Sequence, residues 1–266
     1  MKNYWMLLLS LVVWSKSYCQ SNTVKTELVA ILPESNSFVA YDAFDYYYSI
    51  DNNVFKKNKA QENWEYKNVS LGKITAVNLQ NPLKIVLFYE DFNTVILLDN
   101  QLNESQKINF SEHSVPILST AIGIASQNQL WVYNSLNQQI GLYDYLKDEY
   151  KTISTPLPTK IKYYYSDFNS FVWIDENMDI YTCSLFGGIE SLGKIPNYDS
   201  LQIINTNQVL YNLEQKIGFL TRKKDLSWES TPLELPEKRF EKFYYNAQIL
   251  AIFTTKGIYN FKIKLP

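Results

Sequence analysis

The feature that most constrains this chain is a pair of strand-like runs, joined by a short polar turn, that recurs along its length. In one copy, Gln129–Tyr133 and Gln139–Tyr143 flank the polar turn 134–137. Six copies have anchor residues at Tyr46, Ile85, Trp131, Phe171, Val209 and Ile249. The anchors lie about 40 residues apart, which is the period of a four-stranded propeller blade. From residue 36 onward no long segment has helical periodicity, so the chain is predicted to be all-β.

Each hairpin is preceded by another strand-like run and, in five copies, is followed by a more polar one. For the fourth hairpin these runs are Ile161–Tyr165 and Ile189–Leu192. A polar outermost strand suits an exposed blade edge. The pattern predicts one domain over residues 20–266, a six-bladed β-propeller of four-stranded blades. The blades are expected over residues 34–70, 73–110, 115–157, 160–195, 198–236 and 238–264, the last together with 23–32.

The sixth copy lacks a fourth strand of its own, and the run Thr23–Leu32 is left over at the other end of the chain. This run alternates as a strand does, so we expect it to be the outer strand of the last blade. It would then close the ring and remove an exposed edge between the first and last blades. A β-sandwich or an up-and-down barrel also contains many short strands, but neither requires a period of about 40 residues held six times.

Residues 1–19 have the features of a secretory signal peptide. Lys2 supplies a positive start, Met6–Trp14 is a short apolar run, and small residues precede an expected cut between Cys19 and Gln20. The apolar run is shorter than the about 20 residues of a transmembrane helix, so the processed chain is expected to have no membrane span. The sequence therefore predicts a periplasmic or secreted protein.

Two cysteines bear on this prediction. An alternative to simple cleavage keeps Cys19 as a lipid-modified first residue, although Tyr18 stands where lipoprotein signals usually have a small residue. If Cys19 leaves with the signal, Cys183 has no partner for an internal disulfide. Cys183 lies in a strand-like stretch and is expected to be a small buried apolar residue.

No standard propeller signature is present. WD repeats need a Gly-His and a Trp-Asp in each blade, whereas this chain has one histidine and no Trp-Asp. Only Gly187-Gly188 matches the double glycine of kelch blades, and the Asp-box of sialidases is missing. In general plan and address the chain resembles the divergent exported propellers of Gram-negative bacterial cell envelopes. That resemblance implies a role in periplasmic assembly or docking, without fixing any particular chemistry.

Charge and composition argue against several function classes. The formal net charge is −2, and the only arginines are Arg222 and Arg239, so nucleic-acid binding is not expected. His113, the only histidine, lies in a loop and is expected to be an ordinary surface residue. One histidine and one remaining cysteine are too few for a zinc site, so none is expected. Nucleophile-elbow, phosphate-loop and dinucleotide motifs are missing, so no cofactor and no catalytic or metal-binding residue is predicted.

Acidic and aromatic residues are the remaining candidates for a site. A carboxylate pair could act in a glycosidase, but turn acids usually bond the local backbone, so a structural role is expected for each. The turn acids are Asp42, Asp45, Asp51, Glu90, Asp91, Asp167 and Asp175. Tyrosine clusters at 46–48, 163–165 and 244–245 are expected to pack between blades, and the last two lie on predicted innermost strands, near a central channel.

Three functions remain open on this basis. The first is a non-enzymatic interaction or scaffold protein that docks to a protein complex of the cell envelope or outer membrane. The second is a carbohydrate- or peptide-binding module that uses aromatic loop residues. The third is a hydrolase or lyase that uses a carboxylate pair. The sequence identifies no binding residues.

Overall fold

The computed structural model describes residues 24–32, 38–42, 44, 46–59, 61–236, 239–246 and 248–263. The expected signal-peptide cut at Cys19 and Gln20 and the turn acid Asp45 lie outside these ranges, so the expectations placed on them stay predictions. Within the described ranges, no helix is both long and apolar enough to cross a membrane.

The described chain is built from 24 strands and two short 3-10 helices. The strands are β1 (Thr26–Leu32), β2 (Phe38–Tyr41), β3 (Tyr47–Asp51), β4 (Val54–Lys59), β5 (Glu62–Lys67), β6 (Ala76–Asn78), β7 (Ile85–Tyr89), β8 (Thr94–Leu98), β9 (Glu104–Asn109), β10 (Ser119–Ile124), β11 (Gln129–Asn134), β12 (Gln139–Asp144), β13 (Glu149–Thr152), β14 (Ile161–Ser166), β15 (Ser170–Asp175), β16 (Asp179–Ser184), β17 (Ile189–Lys194), β18 (Ser200–Asn205), β19 (Gln208–Leu213), β20 (Lys216–Arg222), β21 (Trp228–Pro232), β22 (Lys242–Asn246), β23 (Ile249–Thr254) and β24 (Gly257–Ile263). The 3-10 helices are Glu90–Phe92 and Phe110–Glu112.

The strands form six four-stranded antiparallel sheets, which confirms the predicted six-bladed propeller. Blades 1 to 5 are β2–β5, β6–β9, β10–β13, β14–β17 and β18–β21, each in chain order. Blade 6 has the order β1-β24-β23-β22, so its outer strand comes from the opposite end of the chain. The innermost strands are therefore β2, β6, β10, β14, β18 and β22.

The hydrophobic core lies between neighbouring blades. In blade 2, where both faces are covered by neighbouring blades, every residue of the second and third strands, β7 and β8, is buried. Hydrogen bonds also join neighbouring blades. The indole Nε1 of Trp131 in blade 3 donates to the carbonyl of Asp167 in blade 4 at 2.8 Å. Close approach of blades 3 and 4 requires a glycine, since a Cβ on Gly123 would lie 1.7 Å from the Ser166 hydroxyl oxygen.

Ring closure uses the strand that the sequence pattern proposed for it. β1 pairs antiparallel with β24, from Thr26 opposite Ile263 to Leu32 opposite Ile258, with an irregularity between Leu28 and Ala30. The Thr26 hydroxyl also donates to the carbonyl of Glu234 at 2.8 Å, just beyond blade 5. β1 thus joins the last blade and contacts the blade before it.

Candidate functional site: the central channel

A cavity of about 660 Å³ lies where the six innermost strands converge. This volume falls within the about 300–1,000 Å³ typical of small-molecule sites. Its lining consists of residues of the innermost strands and of the loops that follow β2 and β6. The described lining residues are Asp42, Phe44, Ala76, Val77, Asn78, Leu79, Gln80, Pro82, Ile122, Tyr163, Tyr164, Tyr165, Ser166, Leu201, Gln202, Ile203, Phe243, Tyr244 and Asn246.

Two of the three predicted tyrosine clusters reach this channel. Tyr163, Tyr164 and Tyr165 on β14, together with Tyr244 on β22, are half-buried and line the cavity. Tyr245 points the other way and packs between blades, with its ring 6.1 Å from that of Phe219. The alternation of side chains along a strand explains the split between neighbours.

The first cluster has a structural role. Tyr48 is fully buried on β3 and stacks on Phe55, with 5.7 Å between ring centroids. The Tyr48 hydroxyl donates to Asp42 Oδ2 at 2.8 Å. Burial, and after it this hydrogen bond to a carboxylate, raises the pKa of Tyr48 far above its ordinary value. Tyr48 therefore anchors the loop that leads to the channel and takes no direct part in its lining.

Asp42 is the only acidic residue among the described lining residues, and none of them is basic. Asp42 is buried, and its Oδ1 accepts the backbone N–H groups of Phe44 at 2.8 Å and Tyr46 at 3.1 Å. With Tyr48 on the other oxygen, the carboxylate accepts three hydrogen bonds from its own loop and the neighbouring strand β3. The described lining therefore contains no carboxylate pair of the kind that a glycosidase needs.

The other candidate acids serve turns or lie at the surface. Asp175 is buried and accepts the N–H groups of Asn177 and Asp179 and the hydroxyl of Thr159. Asp167 accepts two backbone N–H groups of its own turn. The three that remain are exposed: Asp51, which lies 3.6 Å from the Lys56 ammonium, and Glu90 and Asp91 in a 3-10 helix.

His113 and Cys183 lie away from the channel lining. The His113 ring packs edge-on against Tyr143 at 5.9 Å, and its Nε2 lies 3.3 Å from the carbonyl oxygen of Asp148. Cys183 is buried, and burial raises the pKa of its thiol to about 11. Over the described residues, no group of three or more His, Cys, Asp or Glu side chains could hold a metal ion.

Uncharged polar groups dominate the polar part of the channel. Gln80 Nε2 donates to the Tyr165 hydroxyl at 2.8 Å, and Asn78 Nδ2 lies 3.4 Å from the Ser166 hydroxyl oxygen. Burial raises the pKa of both Tyr163 and Tyr165 to about 12 and raises the pKa of Tyr244 further. The tyrosine hydroxyls of the channel therefore stay neutral at ordinary pH and offer hydrogen bonds.

The loops around the channel mouth expose large apolar side chains. We define the channel mouth as the end at which the innermost strands finish, where loops lead to the second strand of each blade. Phe44, Leu83 and Phe168 lie in these loops of blades 1, 2 and 4 and are 62%, 70% and 37% exposed. The sequence reasoning missed them, although an apolar residue inside an otherwise polar turn, as in Asp167–Asn169, was the available signal.

Comparisons with known proteins identify the fold and no family. No protein-family model matches the chain. ARF3-interacting protein 1 of Saccharomyces cerevisiae is 27% identical over 215 residues, which cover 78% of this chain and 22% of that protein. The chain therefore spans only about a fifth of the length of this relative.

Two solved structures share the propeller fold. Virginiamycin B lyase from Staphylococcus aureus has a TM-score of 0.58 at 14% identity, covering 88% of this chain and 83% of the lyase. A member of the DUF4221 family from Bacteroides vulgatus also has a TM-score of 0.58, at 9% identity, covering 92% and 99%. At such identities the likeness extends to the fold alone.

Proposed function

We propose that this chain is a non-enzymatic interaction module that is exported and docks to a protein complex of the cell envelope through its channel mouth. The observation that carries the proposal is the set of exposed side chains Phe44, Leu83 and Phe168 in loops at the mouth end of the channel, of which Phe44 also lines the cavity. Large apolar side chains grouped at one opening are typical of protein contact sites, where aromatic anchors supply most of the binding energy.

The described channel favours binding over catalysis. Its one carboxylate, on Asp42, is occupied by three hydrogen bonds. The lyase comparison sharpens this point, because a catalytically inactive His-to-Ala variant of that lyase is known, whereas the single histidine here, His113, packs outside the channel lining. The word "interacting" in the name of the yeast relative is in keeping with a binding role.

A lyase is the second candidate, favoured by the shared propeller fold. Incubation of the purified chain with quinupristin, the compound bound in the inactive lyase variant, separates the two candidates. We expect no product by mass spectrometry. Turnover that is lost on substitution of Asp42 or His113, with folding retained, would overturn the non-enzymatic proposal.

Export rests on residues 1–19 and has its own test. Mass spectrometry of the protein purified from its native host is expected to give an N-terminus at Gln20. A lipid-modified Cys19 at the N-terminus would still show export, but the protein would be anchored to a membrane instead of free in the periplasm. An uncleaved chain recovered from the cytoplasm would contradict the proposed location.

Docking through the mouth can be tested with a photoreactive amino acid at Phe44 or Leu83. The matched control is Leu136, which is 60% exposed in the turn between β11 and β12, at the opposite end of blade 3. Crosslinks to one envelope protein are expected from the mouth positions and not from the control.

The crosslinked partner would then be purified and titrated. Changing Phe44 and Leu83 together to Ser is expected to weaken its binding by about tenfold or more, because each is a candidate anchor. Leu136→Ser should leave the affinity unchanged. Equal crosslinking from all three positions, or full affinity in the double variant, would contradict docking at the mouth.

A further inference from the structure

The channel interior presents hydrogen-bonding groups that the described chain leaves unused. Gln80 Nε2 donates a hydrogen bond to the Tyr165 hydroxyl. No described group donates to Gln80 Oε1, and the Tyr165 hydroxyl donates to no described acceptor. Asn246 Nδ2 donates to the carbonyl of Tyr41, while its Oδ1 likewise receives no described donor. The cavity therefore holds both free acceptors and a free donor.

These groups have a particular arrangement at Gln80 and Tyr165. Because the two side chains are joined at 2.8 Å, an open acceptor and an open donor stand side by side. One hydroxyl group of a ligand can donate to Gln80 Oε1 and accept from the Tyr165 hydroxyl. A trans peptide unit cannot do this with one group, since its N–H and C=O point in opposite directions.

The surroundings select against negative charge. No lysine or arginine is found among the described lining residues, and the single carboxylate is occupied by three donors. An anionic ligand would lose its hydration without gaining a counter-ion, and a cationic ligand would meet only a carboxylate that already accepts three hydrogen bonds. The rings of Tyr163, Tyr165 and Tyr244 and the side chains of Leu201 and Ile203 supply apolar surface beside the polar groups.

We infer that the central channel is a binding site for a small, uncharged ligand rich in hydroxyl groups, such as a neutral oligosaccharide. The hydroxyls of the ligand would bond to Gln80, Tyr165 and Asn246, and the C–H faces of its rings would pack on the tyrosines. This inference does not depend on docking of a protein at the mouth, because it concerns binding of a small ligand by the purified chain alone.

Calorimetric titration of the purified chain tests the ligand class. The neutral probes are maltotriose, cellotriose and chitotriose, the anionic probe is sialyllactose, and the peptide probe is N-acetyl-trialanine amide. We expect at least one neutral probe to bind, at least about tenfold more tightly than the anionic and peptide probes. No binding by any neutral trisaccharide, or tighter binding of the anion or the peptide, would overturn the inference.

Substitutions in the channel test where the ligand binds. Tyr165→Phe removes the free donor and is expected to weaken binding of the best neutral probe about fivefold. Gln80→Trp fills the mouth from an exposed position and should abolish binding. The matched control is Tyr211→Phe, whose hydroxyl bonds Ser230 on the outer side of blade 5. With melting temperatures retained, unchanged affinity in Tyr165→Phe and Gln80→Trp would locate any binding elsewhere and overturn the channel assignment.

Discussion

Blades 4 and 6 both send tyrosines into the channel but are completed in different ways. Blade 4 takes all four strands, β14 to β17, from one continuous stretch of chain, whereas blade 6 borrows β1 from the other end. The outer strands differ in balance: β17 has two charged residues and one exposed apolar residue, Ile189, whereas β1 has one charged residue, Glu27, and the exposed apolar residues Leu28, Val29 and Ile31. Blade 4 is thus a local unit, whereas blade 6 exists only once the ends of the chain have met.

This difference indicates which part of the propeller is least stable. Pairing within blade 4 closes short loops, but pairing of β1 with β24 closes a loop of more than two hundred residues, because Thr26 lies opposite Ile263. Loop closure of this length has a larger entropic cost, which the contacts of β1 must offset. We therefore expect blade 6 to open first and blade 4 to be retained longest.

The largest effect should follow from deletion of residues 23–32, which include β1. The deletion exposes the edge of β24 and removes the bond from Thr26 to Glu234. A melting temperature lower by about 10 °C or more is expected, because the loss of several ladder hydrogen bonds is worth a few kcal/mol. A synthetic peptide of residues 23–32 should restore part of the loss. An unchanged melting temperature would contradict ring closure as a source of stability.

The next largest effect on stability is expected from substitutions in the hairpin turns of blades 4 and 6, and it should differ between the two blades. Asp175 in blade 4 is buried and accepts three hydrogen bonds, whereas Thr254 in blade 6 is half-buried and makes two bonds within its own turn. Asp175→Ala is expected to lower the free energy of unfolding by about 2–3 kcal/mol and Thr254→Ala by less than about 1 kcal/mol. Urea denaturation of both variants measures the difference. Equal losses would show that the two turns contribute alike.

These residues also show how far the sequence could be read. Turn chemistry at Asp175 and the 40-residue period were visible in the sequence because hairpin structure is local. The meeting of Gln80 with Tyr165 was not, because their side chains come from different blades and meet only once the ring is formed. The β1 pairing was predictable only because one run, Thr23–Leu32, was left without a blade.

The channel tyrosines of both blades predict a response to alkaline pH. An unfolded tyrosine has a pKa near 10, whereas burial in the folded chain raises the pKa of Tyr163 and Tyr165 to about 12 and also raises the pKa of Tyr244. The unfolded state therefore loses these protons first, so stability is retained below pH 10 and falls as the pH rises from 10 to 12. Tyr163→Phe should make that decline shallower, measured by urea denaturation at each pH. A steeper decline in the variant would contradict the assignment.

The smallest effects are expected at the outer edges. Leu28 on β1 and Ile189 on β17 are both exposed. Leu28→Lys and Ile189→Lys should each change the free energy of unfolding by less than about 0.5 kcal/mol. Light scattering is expected to show less self-association for Leu28→Lys, because apolar sheet edges favour pairing between chains. A loss of more than about 1 kcal/mol in either variant would contradict the exposed position of its side chain.

Fluorine NMR of the chain labelled with 3-fluorotyrosine tests most directly the claim that Tyr165 of blade 4 and Tyr244 of blade 6 line one site for a neutral ligand, together with Gln80 of blade 2. Resonances would be assigned by single Tyr→Phe variants, and spectra recorded with maltotriose, cellotriose and chitotriose in turn. The predicted result is that one neutral sugar shifts the resonances of Tyr165 on blade 4 and Tyr244 on blade 6 while that of Tyr211 stays in place. Shifts confined to tyrosines outside the channel, or none with any of the three sugars, would contradict the claim.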